Sequence, residues 1–311
     1  IRRQRQMCIR DRAWGVNDNY VSEEVGMQPI DVDKQYHFFN PRAGVSYTLA
    51  ERNNFYLSFA VAQKEPTRSD FTDRYMFAEA NTYPSSEKLY DWELGYQYTA
   101  PRLSLGVNLY YMKYKDQLVP TGMVNDGSDA LNTNVSDSYR RGVELSASWR
   151  ATGWFTVGAN ATFSQNRIEN YVDALKDSPT YGKELGDMTI AYSPDVIANA
   201  FLNFHHRGFE AVFHTQHVGK QYFTNNENDA LSLDAYCVTN LNLAYTFRTR
   251  SARSVRLGLL INNLFNAEYE SNGYGYSYMD TWSGPAPVRI DEAYYFPQAP
   301  LNVLANVTVK F

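Results

Sequence analysis

Ten connections punctuate this chain, and they alternate without exception between tight and long. Tight links stand at "ER" from residue 51, "AP" from 100, "TG" from 152, "HR" from 206 and "RTRSA" from 248. Between them lie long segments at 64–85, 121–131, 170–186, 223–232 and 270–299. The eleven runs so separated, 42–50, 53–63, 86–99, 102–120, 132–151, 154–169, 187–205, 208–222, 233–247, 253–269 and 300–311, read as strands. Their apolar residues recur with period two, which sends them to one face of a sheet. Tight links join antiparallel neighbours, so they collect at one end of the sheet and the long segments at the other. A sandwich of hairpins has no reason to keep that asymmetry. A transmembrane β-barrel does, with short turns on one side of the bilayer and long loops on the other.

The two faces differ in the way a barrel wall requires. In 103–114, Leu103, Leu105, Val107, Leu109 and Tyr111 oppose Ser104, Gly106, Asn108 and Tyr110. In the run from Trp154, Phe155, Val157, Ala159, Ala161 and Phe163 oppose Thr156, Gly158, Asn160, Thr162 and Ser164. Around residue 90, Tyr90, Trp92, Leu94, Tyr96 and Tyr98 oppose Asp91, Glu93, Gly95 and Gln97. The polar faces favour Asn, Gly, Ser and Thr over Lys and Glu, the lining of a wet lumen. Several runs reach about 16 to 20 residues, so they project beyond a hydrocarbon core that needs roughly 9 to 11 tilted residues. Aromatic content of 15%, with 25 Tyr, 17 Phe and 5 Trp, suits girdles where one end of a ring is dry and the other wet.

Other classes lose support on composition. A net charge of −5 gives no reason to expect a nucleic-acid partner. No segment approaches the roughly 18 consecutive apolar residues of a membrane helix. Cys8 and Cys237 are the only cysteines, so no disulfide framework is expected. The opening "IRRQRQMCIRDR" has five arginines and no apolar core, which excludes a signal peptide. Residues 1–12 resemble translated adapter sequence at the end of a gene fragment and are set aside from the fold reasoning.

Five segments in order carry a family resemblance. They are "NPRAGVSYTL" with "FYLSFAVAQKEPTRSDF", "SEKLYDWELGYQY", "RRGVELSASW", "INNLFNAEY" and "FPQAPLNVLANVTVKF". Together, over nearly all of 40–311, they resemble the C-terminal half of a TonB-dependent outer-membrane receptor. The resemblance implies a barrel of 22 strands around an N-terminal plug, with a motif that binds TonB and couples uptake to the proton-motive force. The fold expected is therefore all-β: an antiparallel transmembrane β-barrel represented by about eleven strands, a partial and open half-barrel over 42–311. An odd strand count with the C-terminus periplasmic puts residue 41 outside the cell, so 13–41 reads as the remnant of an extracellular loop. On this reading the chain lacks the plug, the coupling motif and half of the wall. Its ending on Val307, Val309 and Phe311 resembles the signal by which the barrel-assembly machinery recognises its clients.

Candidate sites are few. His205 and His206 fall at a predicted turn, and His214 and His217 are an odd number of residues apart on one strand, hence on opposite faces and poor co-ligands. Asp91 and Glu93 share a face and could form a glycosidase-like couple; lumen charges explain them more simply. No catalytic, metal or cofactor site is expected. Ligand contact is expected from the extracellular segment 271–296, where Tyr274, Tyr276, Tyr278 and Trp282 offer rigid amphipathic surface. The segment 64–85, with Arg68, Asp70, Asp73, Arg74 and Tyr75, is the second candidate. The function expected is uptake of a scarce nutrient, a ferric siderophore or similar metal chelate, across the outer membrane of a Gram-negative bacterium. The partners would be outer-membrane lipid, TonB, the barrel-assembly machinery and the small-molecule ligand. The competing readings are a soluble or surface β-protein that binds carbohydrate and a passive porin.

Overall fold

A computed structural model describes residues 7–12, 31–72, 83–124, 130–175 and 178–311. Eleven strands form one antiparallel meander in chain order: β1 Arg42–Leu49, β2 Asn53–Lys64, β3 Glu87–Thr99, β4 Leu103–Val124, β5 Ala130–Arg150, β6 Phe155–Ile168, β7 Val196–His206, β8 Phe209–Val218, β9 Tyr236–Phe247, β10 Ser254–Asn262 and β11 Asn302–Lys310. Each strand pairs with its sequence neighbours, and the sheet stays open with β1 and β11 at its edges. This is the expected all-β wall of eleven strands, with several boundaries shifted.

Register turns the period-two pattern into continuous faces. One rung runs Val45, Leu57, Leu94, Leu109, Val143, Phe163 and Val196. The rung beside it, on the opposite face, runs Ser46, Tyr56, Gly95, Asn108, Glu144 and Thr162. Leu57 and Leu94 are 52% and 51% exposed although they lie mid-strand in the sheet. Such an apolar surface on a soluble protein would be an aggregation site, whereas on a barrel it faces hydrocarbon. At the tight-link end, Arg207 and Gly208 turn β7 into β8 with φ of 47° and 88°, the two-residue geometry whose twist matches paired strands. A Cβ at Gly208 would stand 2.3 Å from the Thr246 carbonyl oxygen.

Buried apolar clusters lie at the long-link end. Val119, Val135, Ile168, Tyr171 and Ile190 form one, and Phe223, Leu231 and Leu233 with Ala293 form another. Here the structure corrects several boundaries. The expected strand 187–205 splits into Met188–Thr189 and β7, because Tyr192 takes a positive φ of 54° and Pro194 has no N–H for a ladder. The expected run 253–269 stops at Asn262, since Asn263 and Asn266 adopt φ of 51° and 52°. Gln221–Tyr222 leaves the wall to pair with Ser232–Leu233. β4 runs to Val124 and β5 starts at Ala130, so 121–124 and 130–131 of the expected loop are strand; residues 125–129 lie outside the described residues. Two short helices appear, at Arg68–Thr72 and Asp229–Leu231, where none was expected. Met7–Arg12 pairs with Asp31–Tyr36 in a separate hairpin that the sequence reading left out; residues 1–6 and 13–30 lie outside the described residues.

Candidate ligand-binding site

The segment expected to be a recognition loop, 271–296, is instead a long antiparallel hairpin. Glu270–Asp280 pairs with Val288–Pro297, placing Tyr274 opposite Tyr294, Tyr276 opposite Glu292 and Tyr278 opposite Ile290. The signal was present in the alternation of tyrosine with Gly273, Gly275 and Ser277. Gly273 and Gly275 face the opposite way, onto the Phe223 cluster. A Cβ at Gly275 would meet Phe223 at 2.8 Å and Leu231 at 2.9 Å, so the hairpin lies flat only because the face has no side chains there.

The other face presents the rings. Tyr274 stacks on Tyr294 at 4.9 Å, and Tyr276 lies 6.4 Å from both Tyr294 and Tyr278. Three hydroxyls converge on one carboxylate: Tyr276 and Tyr294 donate to Glu292 Oε2 at 2.7 and 2.8 Å, and Tyr278 donates to Oε1 at 3.1 Å. These bonds hold the Glu292 carboxyl below the usual carboxylate range, the one from Tyr276 most strongly. They raise the three phenols in turn. Glu292 and Tyr294 escaped the sequence reading, because their roles depend on cross-strand register. At the tip, the Asp280 carboxylate accepts from the N–H groups of Trp282 and Ser283 at 2.9 and 3.1 Å, and Trp282 projects 89% exposed.

Asp291 anchors the hairpin from behind. It accepts from Ser277 Oγ at 2.7 Å, from Arg289 Nε at 2.8 Å and from Asn228 Nδ2 at 2.8 Å. Asn225, fully buried, ties the adjoining loop to the wall: its Nδ2 donates to the Pro120 carbonyl at 2.6 Å and its Oδ1 accepts from the Ala191 N–H at 2.7 Å.

The second candidate segment lines a cavity. Asp70 Oδ2 accepts from the Thr67 N–H at 2.6 Å and from its hydroxyl at 2.7 Å, while Oδ1 accepts from Asn132 Nδ2 at 3.1 Å. Phe71 is buried beside Tyr83. Asp70 and Tyr83 then border a cavity of about 460 Å³ with Asn132, Asn134, Tyr171 and Tyr181, within the size range of small-molecule sites. Burial pushes the Tyr171 phenol up to about 12, the Asp173 charge adds to this, and the Arg289 guanidinium opposes it. Arg68 stands on the short helix with Asp70; Asp73, Arg74 and Tyr75 lie outside the described residues.

The remaining candidates fall on the wall. Asp91 and Glu93 share the inner face, opposite Met112 and Tyr110, and Glu144 accepts from Asn108 on the same face at 3.2 Å. His214 and His217 do point to opposite faces, pairing with Phe201 and Ala198. His205 and His206 belong to the end of β7 rather than to the turn. Val307 and Val309 lie on the outward face of edge strand β11, and Phe311 beyond it is 93% exposed.

Residues 13–264 match the family described as TonB dependent receptor-like, beta-barrel. The chain is 24% identical over 190 residues to the pesticin receptor of Yersinia enterocolitica, which spans 61% of this chain and 26% of that receptor. Its fold is similar to the ferric yersiniabactin uptake receptor FyuA of Yersinia pestis, at TM-score 0.62 and 18% identity over 91% of this chain and 39% of that one. It is also similar to the siderophore receptor PiuA of Acinetobacter baumannii, at TM-score 0.65 and 13% identity over 93% and 38%. The chain thus spans about a quarter to two fifths of the length of the receptors it matches, and its open sheet corresponds to part of their barrels. With a family match across most of its length, a strictly sequential antiparallel wall and aromatic segments gathered at one rim, the chain belongs to the TonB-dependent receptors of the outer membrane, as part of their β-barrel domain.

Proposed function

We propose that this chain supplies wall and ligand-facing loops to a receptor that imports a metal chelate of the ferric-siderophore kind, driven by TonB. The tyrosine ladder of the 270–297 hairpin carries the reading. Its stacked rings are ordered by a shared carboxylate before any ligand arrives, which lowers the entropic cost of binding a flat aromatic or amide-rich chelate. The likeness of the fold to the ferric yersiniabactin uptake receptor and the siderophore receptor PiuA supports the substrate class. In the receptor polypeptide that contains this chain, Tyr274→Ala with Tyr278→Ala should weaken binding of its ferric chelate by about tenfold or more, two aromatic contacts of roughly 1 kcal/mol each. Fluorescence quenching would measure it, and unchanged affinity would remove the hairpin from the site.

The orientation proposed puts the long loops outside the cell and Phe311, Val309 and Val307 at the periplasmic rim, where the barrel-assembly machinery would engage them. Cysteines at Gly284, where a Cβ would meet only the Ala286 carbonyl oxygen at 4.0 Å, and at Gly153, where it would meet open space, test it. A membrane-impermeant thiol reagent on intact cells should label the first and spare the second; the reverse pattern would invert the topology.

A further inference from the structure

The ring face of the 270–297 hairpin gathers oxygen atoms at its centre. Register sets Glu292 opposite Tyr276, with Tyr278 and Tyr294 next along the same face, one on each strand. Tyr276 Oη and Tyr294 Oη stand 2.7 and 2.8 Å from Glu292 Oε2, and Tyr278 Oη stands 3.1 Å from Oε1. Three phenol and two carboxylate oxygens thus share one small volume. In an octahedral complex with metal–oxygen bonds of roughly 2.0 Å, neighbouring oxygens lie about 2.8 Å apart. The separations on the hairpin match the edges of such an octahedron.

Charge and access suit a cation. This face carries the carboxylates of Glu292 and Asp280 and no Lys or Arg, while the single cation of the hairpin, Arg289, lies on the opposite face with Asp291 and Ser277. Tyr278 and Tyr294 are exposed, so an ion reaches the oxygens from solvent. Burial does not require the convergence, since water satisfies a carboxylate at a surface. The donors are also held in place before an ion arrives: the Tyr276 and Tyr294 rings lie 23° from parallel, and Asp291 pins the strand from behind through Ser277 and Asn228. Such preorganisation is what a metal site needs.

The donor set narrows the choice of ion. It offers oxygen alone, a poor match for zinc or copper, which favour nitrogen and sulfur. The hydrogen bonds to Glu292 raise the phenols, so magnesium and calcium leave their protons in place at neutral pH. A triply charged ion is a far stronger Lewis acid and displaces them.

We propose that Tyr276, Tyr278, Tyr294 and Glu292 ligate ferric iron directly, taking it from a weak carboxylate chelator. Each phenol exchanges its proton for a bond to the ion, and the proton passes to solvent. Three phenolates and one carboxylate then surround a triply charged ion, and water or the donating chelator fills the remaining positions. The inference rests on the reading of this hairpin as the segment that meets iron, but it uses the oxygens where that reading uses the rings.

For the test, the receptor polypeptide containing this chain is folded in detergent and titrated with ferric nitrilotriacetate. Direct ligation should give a visible phenolate-to-iron charge-transfer band, phenolate modes under resonance Raman excitation in that band, and a ferric ion retained through gel filtration. Tyr276→Phe with Tyr294→Phe keeps both rings and removes both oxygens beside Oε2. It should abolish the band and weaken retention by more than the roughly ten- to hundredfold that loss of an outer partner costs. Absence of the band in the unsubstituted receptor would overturn the site whether or not the variant folds, as would an unchanged band in a folded variant. A ferric chelate whose own donors fill the metal reports on the rings alone and should bind the double variant as tightly as the parent. If that chelate bound neither protein while the band persisted, the chelate reading would fail and the metal site would stand.

Discussion

The lower wall and the long-loop end are built from the same kind of strand and held in different ways. In the wall, each residue meets its hydrogen-bond partners on the adjacent strands, and apolar side chains face outward without forming a core. At the loop end, strands of up to 22 residues leave the sheet, segments far apart in sequence pack together, and the clusters around Ile168 and Leu231 exclude solvent. The wall is organised by local register and by the surrounding lipid; the loop end behaves like a small soluble protein standing on it. Substitutions should therefore be judged by different rules in the two regions.

The largest effect should separate the two faces of the wall. Val107→Arg, on the outward face, is expected to cost roughly 2 to 4 kcal/mol of folding free energy in lipid if it lies near the midplane. Asn108→Arg, one residue on and facing inward beside Glu144, should cost far less. Folding titrations of the completed barrel into vesicles measure both, and equal losses would mean that neither face meets lipid. A smaller and more local effect is expected at the loop end. Gly275→Val would drive its side chain into Phe223 and Leu231, an overpacking cost of about 1 to 3 kcal/mol. Hydrogen exchange should quicken across 270–297 while heat-modifiable migration of the wall is unchanged. If the wall were lost as well, the two regions would be one cooperative unit.

The smallest effect is a pH dependence confined to the hairpin. The Glu292 carboxyl is depressed in the folded state, so its contribution is present above the unfolded carboxyl value and is lost as pH falls through the folded one. The phenols of Tyr276, Tyr278 and Tyr294 are raised. Their contribution is whole below the unfolded phenol value and is lost as pH climbs from there through the folded ones. The hairpin should consequently be most protected across neutral pH. Glu292→Gln should flatten the acid limb of its exchange profile, and an unaltered limb would assign the acid sensitivity to Asp291 or Asp280.

Much of the wall is legible because period two needs no knowledge of distant residues. Leu105, Val107 and Leu109 declare their shared face by spacing, and the asymmetry of the links orders the strands. Tyr274, Tyr276 and Tyr278 declare theirs in the same way, although a segment that lies between two wall strands and joins neither predicts a loop from its length and position alone. The breaks at Tyr192, Asn263 and Asn266 were hidden because a single residue of positive φ ends a ladder without disturbing composition around it. Met188 and Gln221 continue the apolar and polar alternation past the point where their strands part.

The sequence alone determined the all-β wall, the direction in which its faces point and the rim at which the tyrosines gather, since each follows from alternation and link length. Tertiary structure decided which carboxylate those tyrosines share, that Gly273 and Gly275 lie against Phe223, and that Asn225 bridges Pro120 and Ala191. Each of these is a pairing between residues on different strands or loops. Alternation states the face a side chain occupies, but only the settled register and the packing of distant segments state what it meets there.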